Sequence, residues 1–327
     1  MSYLNRTFEL WDHLMPGGFL SINLSEEKMK KFPDCDKILV HAHVFYVRMW
    51  TELEECLKNI SLPYDLYVTL TGANPDLRRD IRKFKPDADI RIVENRGYDV
   101  WPFIDTLNRV NLDDYAYVVK IHTKRDTGVY PVGNGYVFKD DEWRKALLKF
   151  LKTPRNFKKC LVAFRKDRAL GMISSFDCIH SVKTYPDAFR YARKNYPRYI
   201  FGLQDFSFVA GTMFMARASL LKPVRDMKIT ASLFAEPDDG HSMQFAHIME
   251  RTLGEAVYKA GCRIDDPIST GRERRQRQRD YNFKLKLFCL TLFQFKYCRD
   301  CRLLLKFLGI PLWSYKKRQA DGLAGRK

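Results

Sequence analysis

The feature of this chain that most constrains its fold is a regular alternation of short apolar segments and segments with helical spacing between residues 37 and 121. The apolar segments have the length of strands, and the intervening segments repeat apolar residues every three or four positions. The predicted strands span residues 37–46, 65–71, 89–93 and 115–121, and the predicted helices span 48–59, 74–84 and 100–110. Strands that alternate with helices over short connections run parallel, so the sequence predicts an α/β fold with a mainly parallel central sheet.

The remainder of the chain is less regular. A segment rich in glycine, residues 128–135, predicts a loop. Further helices are predicted at 141–151, 185–196 and 242–259, and strands at 169–175 and 206–216, the second interrupted by Gly211. No internal repeat is predicted. The chain therefore divides into an N-terminal arm (1–36), one domain (37–268) and a basic linker with an amphipathic tail (269–327).

The positive charge of the chain is unevenly placed. There are 57 Lys and Arg against 39 Asp and Glu, a net charge of +18. From residue 270 onward there are 16 basic and 4 acidic residues, so this tail carries +12 and the first 269 residues carry +6. Such a charge favours anionic partners, including a phosphate-bearing substrate or a membrane surface. The small excess on the body argues against a protein whose main partner is nucleic acid.

The tail interleaves Lys and Arg with Phe, Leu and Trp between residues 281 and 313. This pattern suits a segment that lies on anionic lipid, while RNA binding and a terminal helix packed on the body remain alternatives. The chain shows no signal-peptide pattern and no apolar stretch of about 18 residues. Its eight cysteines are typical of reduced thiols. We expect a cytoplasmic protein held at the inner face of the cell membrane by its tail.

Polar residues follow the predicted strands at the end where an α/β sheet binds ligands. After the third strand comes Glu94-Asn95-Arg96-Gly97-Tyr98-Asp99. Here Gly97 allows close approach of the backbone, Arg96 can clamp a phosphate, and Asn95 and Asp99 can orient sugar hydroxyls. The alternative is a turn in which Asp99 only caps the next helix.

A basic sequence follows the fourth predicted strand. Alternation along an extended chain places Lys120, His122 and Lys124 on one side, where three cations would favour a diphosphate without a metal. The alternative is a solvated basic turn. On the first strand, His43 is predicted to line the same nucleotide pocket, although a histidine in a strand is more often a core residue with satisfied hydrogen bonds.

Two further groups lie in the second half of the chain. Small residues at Gly211 and Thr212 would let a substrate approach the backbone of a strand, or would only permit tight packing. Asp239, with Glu236 as a second candidate, is a possible general base, and the alternative for Asp239 is a helix cap. His247 and Arg251 are four residues apart on a predicted helix and could contact a ligand phosphate. No residues have the spacing of a zinc site, so no metal ligands are assigned.

Four segments, in this order, resemble the rhamnan synthesis protein F family of bacterial polysaccharide glycosyltransferases. The first combines HAHVFY, WTELEECLKNI and DLYVTLT, and the second is ENRGYDVWPFI. The third is YVVKIHTKRD with a later Trp143-Arg144, and the fourth is FVAGTMFMARASLL followed by DGHSMQFAHIMER. The resemblance covers about residues 37–260, and it departs from the family at Tyr98, where an Arg is usual.

The resemblance implies transfer of a sugar, often L-rhamnose, from a nucleotide diphosphate such as dTDP-rhamnose to a cell-surface polysaccharide or a polyprenyl-linked glycan. It also implies a GT-A-like, Rossmann-type domain. Arg96, His122 and Lys124 would stabilise the leaving diphosphate, and Asp239 would deprotonate the acceptor in an inverting displacement. The usual acidic metal motif after the fourth strand is not evident, and a requirement for Mg²⁺ or Mn²⁺ stays open.

Other functions remain possible on the sequence. A metal-dependent transferase of another sugar is the nearest alternative. A non-catalytic scaffold in glycan assembly is a second, since transferase folds can lose activity. A nucleic-acid-binding protein is the least favoured, because the body carries little excess charge.

Overall fold

The computed structural model describes residues 36–126, 128–131, 137–235, 244–271 and 273–274, and the strand segments 284–287, 290–298, 302–307 and 310–316. By its internal contacts the chain divides into residues 1–31 and 32–327. The first unit lies outside the described residues, as does nearly all of the predicted N-terminal arm. All the helices and strands given below belong to the second unit.

The first half of the second unit alternates strands and helices as predicted. Its strands are β1 (Ile38–Val44), β2 (Tyr64–Leu70), β3 (Asp89–Ile92) and β4 (Tyr117–His122). Its helices are α1 (Trp50–Leu57), α2 (Pro75–Phe84) and α3 (Val100–Arg109). All seven elements overlap the segments that the sequence predicts.

The second half contains shorter elements. Its strands are β5 (Val129–Pro131), β6 (Val137–Lys139), β7 (Leu170–Ile173), β8 (Ile179–Ser181), β9 (Ser207–Val209), β10 (Phe214–Arg217) and β11 (Arg263–Asp265). Its helices are α4 (Glu142–Leu147), α5 (Pro154–Lys166), α6 (Pro186–Asn195), α7 (Lys222–Asp226) and α8 (Phe245–Lys259). The predicted loop at 128–135 includes β5 in its described part. Helix α5 was not predicted, and the single strand predicted at 206–216 is two strands separated by Gly211.

Seven strands form the central sheet in the order β11-β7-β10-β4-β1-β2-β3. The pairs β1–β2, β1–β4, β2–β3 and β7–β11 are parallel, whereas β10 is antiparallel to both β4 and β7. The α/β fold class with a mainly parallel sheet is therefore confirmed. Because β10 runs the other way, its first residues lie beside the carboxyl end of β4.

The local sequence explains these elements. All seven residues of β1 are buried, as expected for a central strand covered on both faces. Helix α2 begins with Asn74, whose side chain accepts a hydrogen bond from the Leu77 amide at 2.8 Å, and Pro75 takes the first helical position. The apolar faces of α1 and α3 bury residues such as Leu53 and Phe103 in the same core as β1.

The described part of the tail forms an antiparallel sheet of β12 (Lys284–Leu287), β13 (Leu290–Cys298), β14 (Arg302–Phe307) and β15 (Ile310–Lys316), in that order. The register shifts between Leu285 and Lys286 in the first hairpin and between Leu305 and Lys306 in the last. The first and last hairpins therefore share a register irregularity at a similar place. From residue 284 onward the described tail is thus made of strands, and the alternative of a terminal helix is wrong there.

Candidate active site at the carboxyl ends of the strands

The candidate site lies where the chain changes direction across the sheet. From β1 the chain builds outward to β2 and β3, and it then returns to place β4 on the other side of β1. Ligands of open α/β sheets bind outside the carboxyl ends of the strands at such a switch point. Here His43 of β1 is directly paired with His122 of β4, and on its other side with Thr69 of β2.

The first feature of the site is a buried ion pair between Lys120 and Asp99. The Lys120 side chain is 0% exposed, and its Nζ donates to Asp99 Oδ2 at 2.5 Å. Nζ also donates to the hydroxyl of Thr212 at 2.8 Å and to its carbonyl oxygen at 3.0 Å. The Thr212 hydroxyl in turn donates to Asp99 Oδ2. Lys120 therefore joins the loop after β3 to the turn before β10.

This arrangement argues against one sequence interpretation of Asp99, that of a helix cap. The residue stands at the N-cap position of α3, but its side chain makes no capping hydrogen bond. The carboxylate instead faces Lys120, Thr212 and, at 3.6 Å, Nε2 of His122. Asp99 is thus a member of the polar site rather than a simple helix cap.

His122 extends the network to Gly211. Its Nε2 lies 2.9 Å from the Gly211 carbonyl oxygen, and the Gly211 amide donates to Oε1 of Glu250 at 2.7 Å. Gly211 has φ +90°, in the region that favours glycine, and a Cβ there would approach Leu147 Cδ1 to 2.9 Å, so a larger residue would be strained. We call Asp99, Lys120, His122, Gly211 and Thr212 the strand-end cluster. Glu250, on α8, is a carboxylate beside it that was not predicted to belong to the site.

The loop after β3 has a strained backbone. Gly97 and Tyr98 have φ +59° and +56°, in the left-handed region that favours glycine. A Cβ on Gly97 would collide with the ring of Phe234, and the Gly97 amide donates to the Ala235 carbonyl at 3.1 Å. Arg96 donates to Glu94 at 2.7 Å and to the Phe234 carbonyl at 3.3 Å. This loop is therefore packed against the chain immediately before residue 236.

Lys124 is a different kind of cation from Lys120. It is half-buried, and its Nζ lies 3.6 Å from the centroid of the Trp143 ring. Within the described residues its ammonium makes neither a hydrogen bond nor an ion pair. The backbone of Lys124 is held by Arg144, which donates to its carbonyl at 3.1 Å and also pairs with Asp126. Lys124 is therefore held in place with its ammonium against an aromatic ring, where burial lowers its pKa.

Two residues outside the predicted site organise its loops. The hydroxyl of Thr123 accepts hydrogen bonds from the amides of Phe45 and Tyr46, both at 3.0 Å, and so ties the loop after β1 to the loop after β4. Arg144 fixes residues 124–126 and also pairs with Glu52 at 2.7 Å. Thr123 lies within the segment YVVKIHTKRD and Arg144 within the Trp143-Arg144 pair, both of which carry the family resemblance, so the sequence contained a signal for both.

Burial sets the protonation of the site. It lowers the pKa of His43 to about 3 and that of His122 to about 4, so both rings are neutral at pH 7. His122 would therefore act on a ligand as a hydrogen-bonding group and not as the cation that the sequence suggested. Burial by itself raises the pKa of Asp99, but the charge of Lys120 and the hydrogen bonds from Lys120 and Thr212 lower it well below the usual range. Asp99 is thus a carboxylate.

The remaining predicted residues lie around this centre. Asn95 is exposed on the loop after β3. The ring of His247 lies 5.8 Å from that of Tyr98, which brings the start of α8 to the same loop. Arg251 is buried, with its guanidinium 5.2 Å from the Tyr185 ring centroid and 5.5 Å from that of Phe208.

The two predicted general bases, Glu236 and Asp239, lie outside the described residues. The described chain on both sides of them adjoins the loop after β3, through Ala235 and His247. Where the structure describes the chain, no group of three or more His, Cys, Asp or Glu converges as a metal site would. Among the same residues, no helix is both long enough and apolar enough to cross a membrane.

A groove opens next to the same loop, between β3 and α3. Its volume is about 420 Å³, within the usual range of ligand pockets. The groove is lined by Ile90, Arg91, Ile92, Val93, Glu94, Trp101 and Asp105. It combines one aromatic ring with charged side chains and is contiguous with Arg96 through Glu94.

The mainly parallel sheet, with a polar cluster at its switch point, places this protein in the class of open α/β folds. In that class, ligands bind outside the carboxyl ends of the strands. The particular family is identified by a profile described as rhamnan synthesis protein F, which matches residues 11–262. The chain belongs to this family.

Similar proteins add two comparisons. WxcX of Xanthomonas campestris pv. campestris, an uncharacterized protein, is 25% identical over 260 residues in strain B100 and equally in strain ATCC 33913. The match covers 76% of this chain and 36% of WxcX, so the chain spans about a third of the length of these curated relatives. Residues 1–349 of TarS from S. aureus, solved also with UDP-GlcNAc, align with 72% of this chain and 59% of that one at 10% identity and a TM-score of 0.36.

Proposed function

We propose that this protein is a glycosyltransferase that moves a sugar from a nucleotide-diphosphate donor to a glycan acceptor. The observation that carries the proposal is the strand-end cluster, with the ammonium of Lys124 near it, at the switch point of a rhamnan synthesis protein F family member. Lys124, which has no ion pair within the described residues, favours a ligand that brings its own negative charge, as a diphosphate does. More specifically, we propose that the transferred sugar is L-rhamnose and that the donor nucleotide is dTDP.

The cluster supports transfer chiefly by positioning. In the proposed step the acceptor oxygen bonds to the anomeric carbon as the bond from that carbon to the diphosphate breaks. The acceptor proton passes to a carboxylate, and inversion follows. Lys124 would stabilise the negative charge of the leaving diphosphate, since preorganised charges of this kind often contribute more to the rate than any other effect in an enzyme. Lys120, buried and paired, would act indirectly by holding Asp99 and the Gly211–Thr212 turn.

Two carboxylates compete for the role of general base. Asp239, with Glu236 as a second candidate, belongs to a segment flanked by residues at the loop after β3. Glu250 is the described alternative, because it borders the cluster through the Gly211 amide. We favour Asp239, since the hydrogen bond to Gly211 already gives Glu250 a structural role.

The test measures release of nucleoside diphosphate by the full chain with a panel of nucleotide sugars and a glycan acceptor. Asp239→Asn should abolish transfer while the donor still raises the melting temperature, because a base acts only in the chemical step. Glu250→Gln should keep measurable transfer. If Glu250→Gln abolished transfer and Asp239→Asn kept it, the general base would be Glu250. Donors that neither bind nor react, in buffer with Mg²⁺ or Mn²⁺ as well as in chelator, would contradict the proposal and favour a non-catalytic scaffold.

Lys124 provides a second test. Lys124→Gln should reduce turnover by about 100-fold, the usual effect of losing one transition-state hydrogen-bond donor or charge. The matched control is Lys145→Gln on α4, an exposed lysine paired with Asp141, which should leave turnover unchanged. Equal turnover in both variants would remove Lys124 from the site.

The groove beside β3 is our candidate for the donor's nucleoside. Trp101 offers a ring for stacking a base, and Glu94 connects the groove to Arg96. Trp101→Leu should lower the donor-induced rise in melting temperature and leave binding of a nucleotide-free acceptor unchanged. An unchanged donor effect would place the nucleoside elsewhere.

Membrane attachment through the tail and a location at the inner face of the cell membrane stay part of the proposal. Deletion of residues 275–327 tests this attachment, and we expect the shortened chain to bind membranes more weakly than the full chain.

A further inference from the structure

The positive charge of the body is concentrated on one short segment that includes α5. Residues 149–166 contain seven Lys and Arg and no Asp or Glu. The first 269 residues carry +6 in all, so the rest of them together carry −1. The seven cations are Lys149, Lys152, Arg155, Lys158, Lys159, Arg165 and Lys166.

The structure places most of these cations on the outer side of α5. The helix buries Phe157, Cys160, Leu161 and Phe164 against the core. Its other side presents Arg155, Lys158, Lys159, Val162 and Lys166, of which Lys159 is half-buried and the others are exposed. Arg155, Lys158 and Val162 are three or four residues apart, as on one face of a helix. We call these five residues the α5 face.

The cations of the α5 face are not neutralised by the protein. No ion pair to Arg155, Lys158, Lys159 or Lys166 is formed within the described residues, although Arg165, at the edge of the face, lies 3.6 Å from Asp36. Like charges this close on a helix repel one another. A surface that keeps them together without counter-charges is suited to an anionic partner.

An apolar depression lies among these cations. It has a volume of about 410 Å³, and its lining combines Arg155, Lys158 and Lys159 with Val162, Ala163 and Pro267. Val162 is 39% exposed, one of the few large apolar residues that the described structure leaves in solvent. Cations around an apolar floor match the boundary between phosphate headgroups and acyl chains.

We propose that the α5 face docks on an anionic lipid bilayer, separately from any contact that the tail makes. A nucleic acid is the weaker partner, because single-stranded binding relies on exposed aromatic rings among the cations, and both phenylalanines of α5 are buried. The docking would hold the body of the protein against the surface of the bilayer. It does not depend on the transferase activity proposed above.

The experiment uses the full chain and vesicles of three parts phosphatidylcholine to one part phosphatidylglycerol, with pure phosphatidylcholine vesicles as reference. The test variant is Arg155→Glu/Lys158→Glu/Lys159→Glu. The matched control is Arg78→Glu/Arg79→Glu/Lys83→Glu, which makes the same change of charge on the exposed side of α2. Thermal melting checks that both variants fold.

The test variant should bind the anionic vesicles about 100-fold more weakly at low salt, because each cation near such a surface contributes about fivefold or more. The control should lose much less, and binding should fall as salt rises. A second variant, Arg155→Gln/Lys158→Gln/Lys159→Gln, should also bind the anionic vesicles more weakly, by a smaller factor. Because Gln adds no charge, this loss cannot come from new carboxylates.

Equal loss in the test and control variants would overturn the proposal, since it would show an effect of net charge without a defined surface. Unchanged vesicle binding in the test variant would also overturn it and leave the tail as the attachment. So would a loss that appears with a fluorescent RNA or DNA but not with vesicles, because the partner would then be nucleic acid. If the Glu variant fails to fold, the Gln variant replaces it, and its loss of vesicle binding is compared with that of the control in the same way.

Discussion

Lysine and arginine serve opposite purposes in the strand-end cluster and on the α5 face. Lys120 is 0% exposed, and its ammonium is surrounded by Asp99 and Thr212. Arg155 and Lys158 are exposed and have no ion pair within the described residues. In the strand-end cluster a cation holds three segments of the chain together, whereas on the α5 face the cations are exposed to an anionic partner outside the protein. Net charge alone therefore says little about where an anion binds.

Lys120→Met provides the strongest test of this contrast. The change would leave the buried Asp99 carboxylate without its main partner, and breaking a buried pair in this way costs about 3–5 kcal/mol of the free energy of unfolding. Urea denaturation measures the loss. The matched change on the α5 face, Lys158→Met, should alter stability by less than about 0.5 kcal/mol. Similar losses from both would show that Lys120 is not a structural cation.

Gly97→Ala tests the backbone that presents the cluster. The glycine has φ +59°, and a Cβ would meet the Phe234 ring, so we expect a loss of about 2 kcal/mol in stability and weaker donor binding. Gly72→Ala is the control, because nothing lies within 4 Å of its Cβ position. If Gly97→Ala melts like the wild type, the loop is less constrained than its geometry indicates.

Acid should lower the stability of the protein through its buried histidines and have no effect through the lysines of the α5 face. Burial lowers the pKa of His43 to about 3 and that of His122 to about 4, from 6.5. It also lowers the pKa of His180, a buried residue of β8, to about 4. Because the unfolded chain binds these protons first, stability is fully present above about pH 6.5 and is lost as the pH falls toward 4. Each ring should cost about 1–2 kcal/mol by pH 5.

Melting curves at several pH values measure this loss. His180→Gln should flatten the dependence, since one titrating ring is removed. Lys158→Gln/Lys159→Gln should follow the wild-type curve, because lysines do not titrate in this range. Stability that rises on acidification would contradict the pKa directions.

The smallest effect concerns the α5 face itself. Replacing Lys158 and Lys159 with Gln removes repulsion between like charges and should raise stability by a few tenths of a kcal/mol at low salt. The gain should vanish at high salt, where the charges are screened. A measurable loss of stability would mean that these lysines have partners in the folded chain.

The sequence predicted the first half of the fold well for a physical reason. The segments from β1 to β4 have clear periodicity and short connections, and the Asn74-Pro75 signal placed the start of α2 correctly. Periodicity was less informative later, where β7 to β10 are short, and α5 was not predicted at all. The strands of the tail were also missed, because interleaved basic and apolar residues suit a lipid-bound segment as well as a strand.

The sequence by itself determined which residues meet at the carboxyl ends of the strands, because the alternation of strands and helices places Asp99, Lys120 and His122 at one edge. Only the tertiary structure decided what each of them does there. The antiparallel β10 brings Gly211 and Thr212 to Lys120, and burial then pairs its charge with Asp99 and makes His122 neutral. Spacing along a chain is local, whereas burial and pairing depend on segments about 90 residues apart, as the hydrogen bond from Lys120 to Thr212 demonstrates.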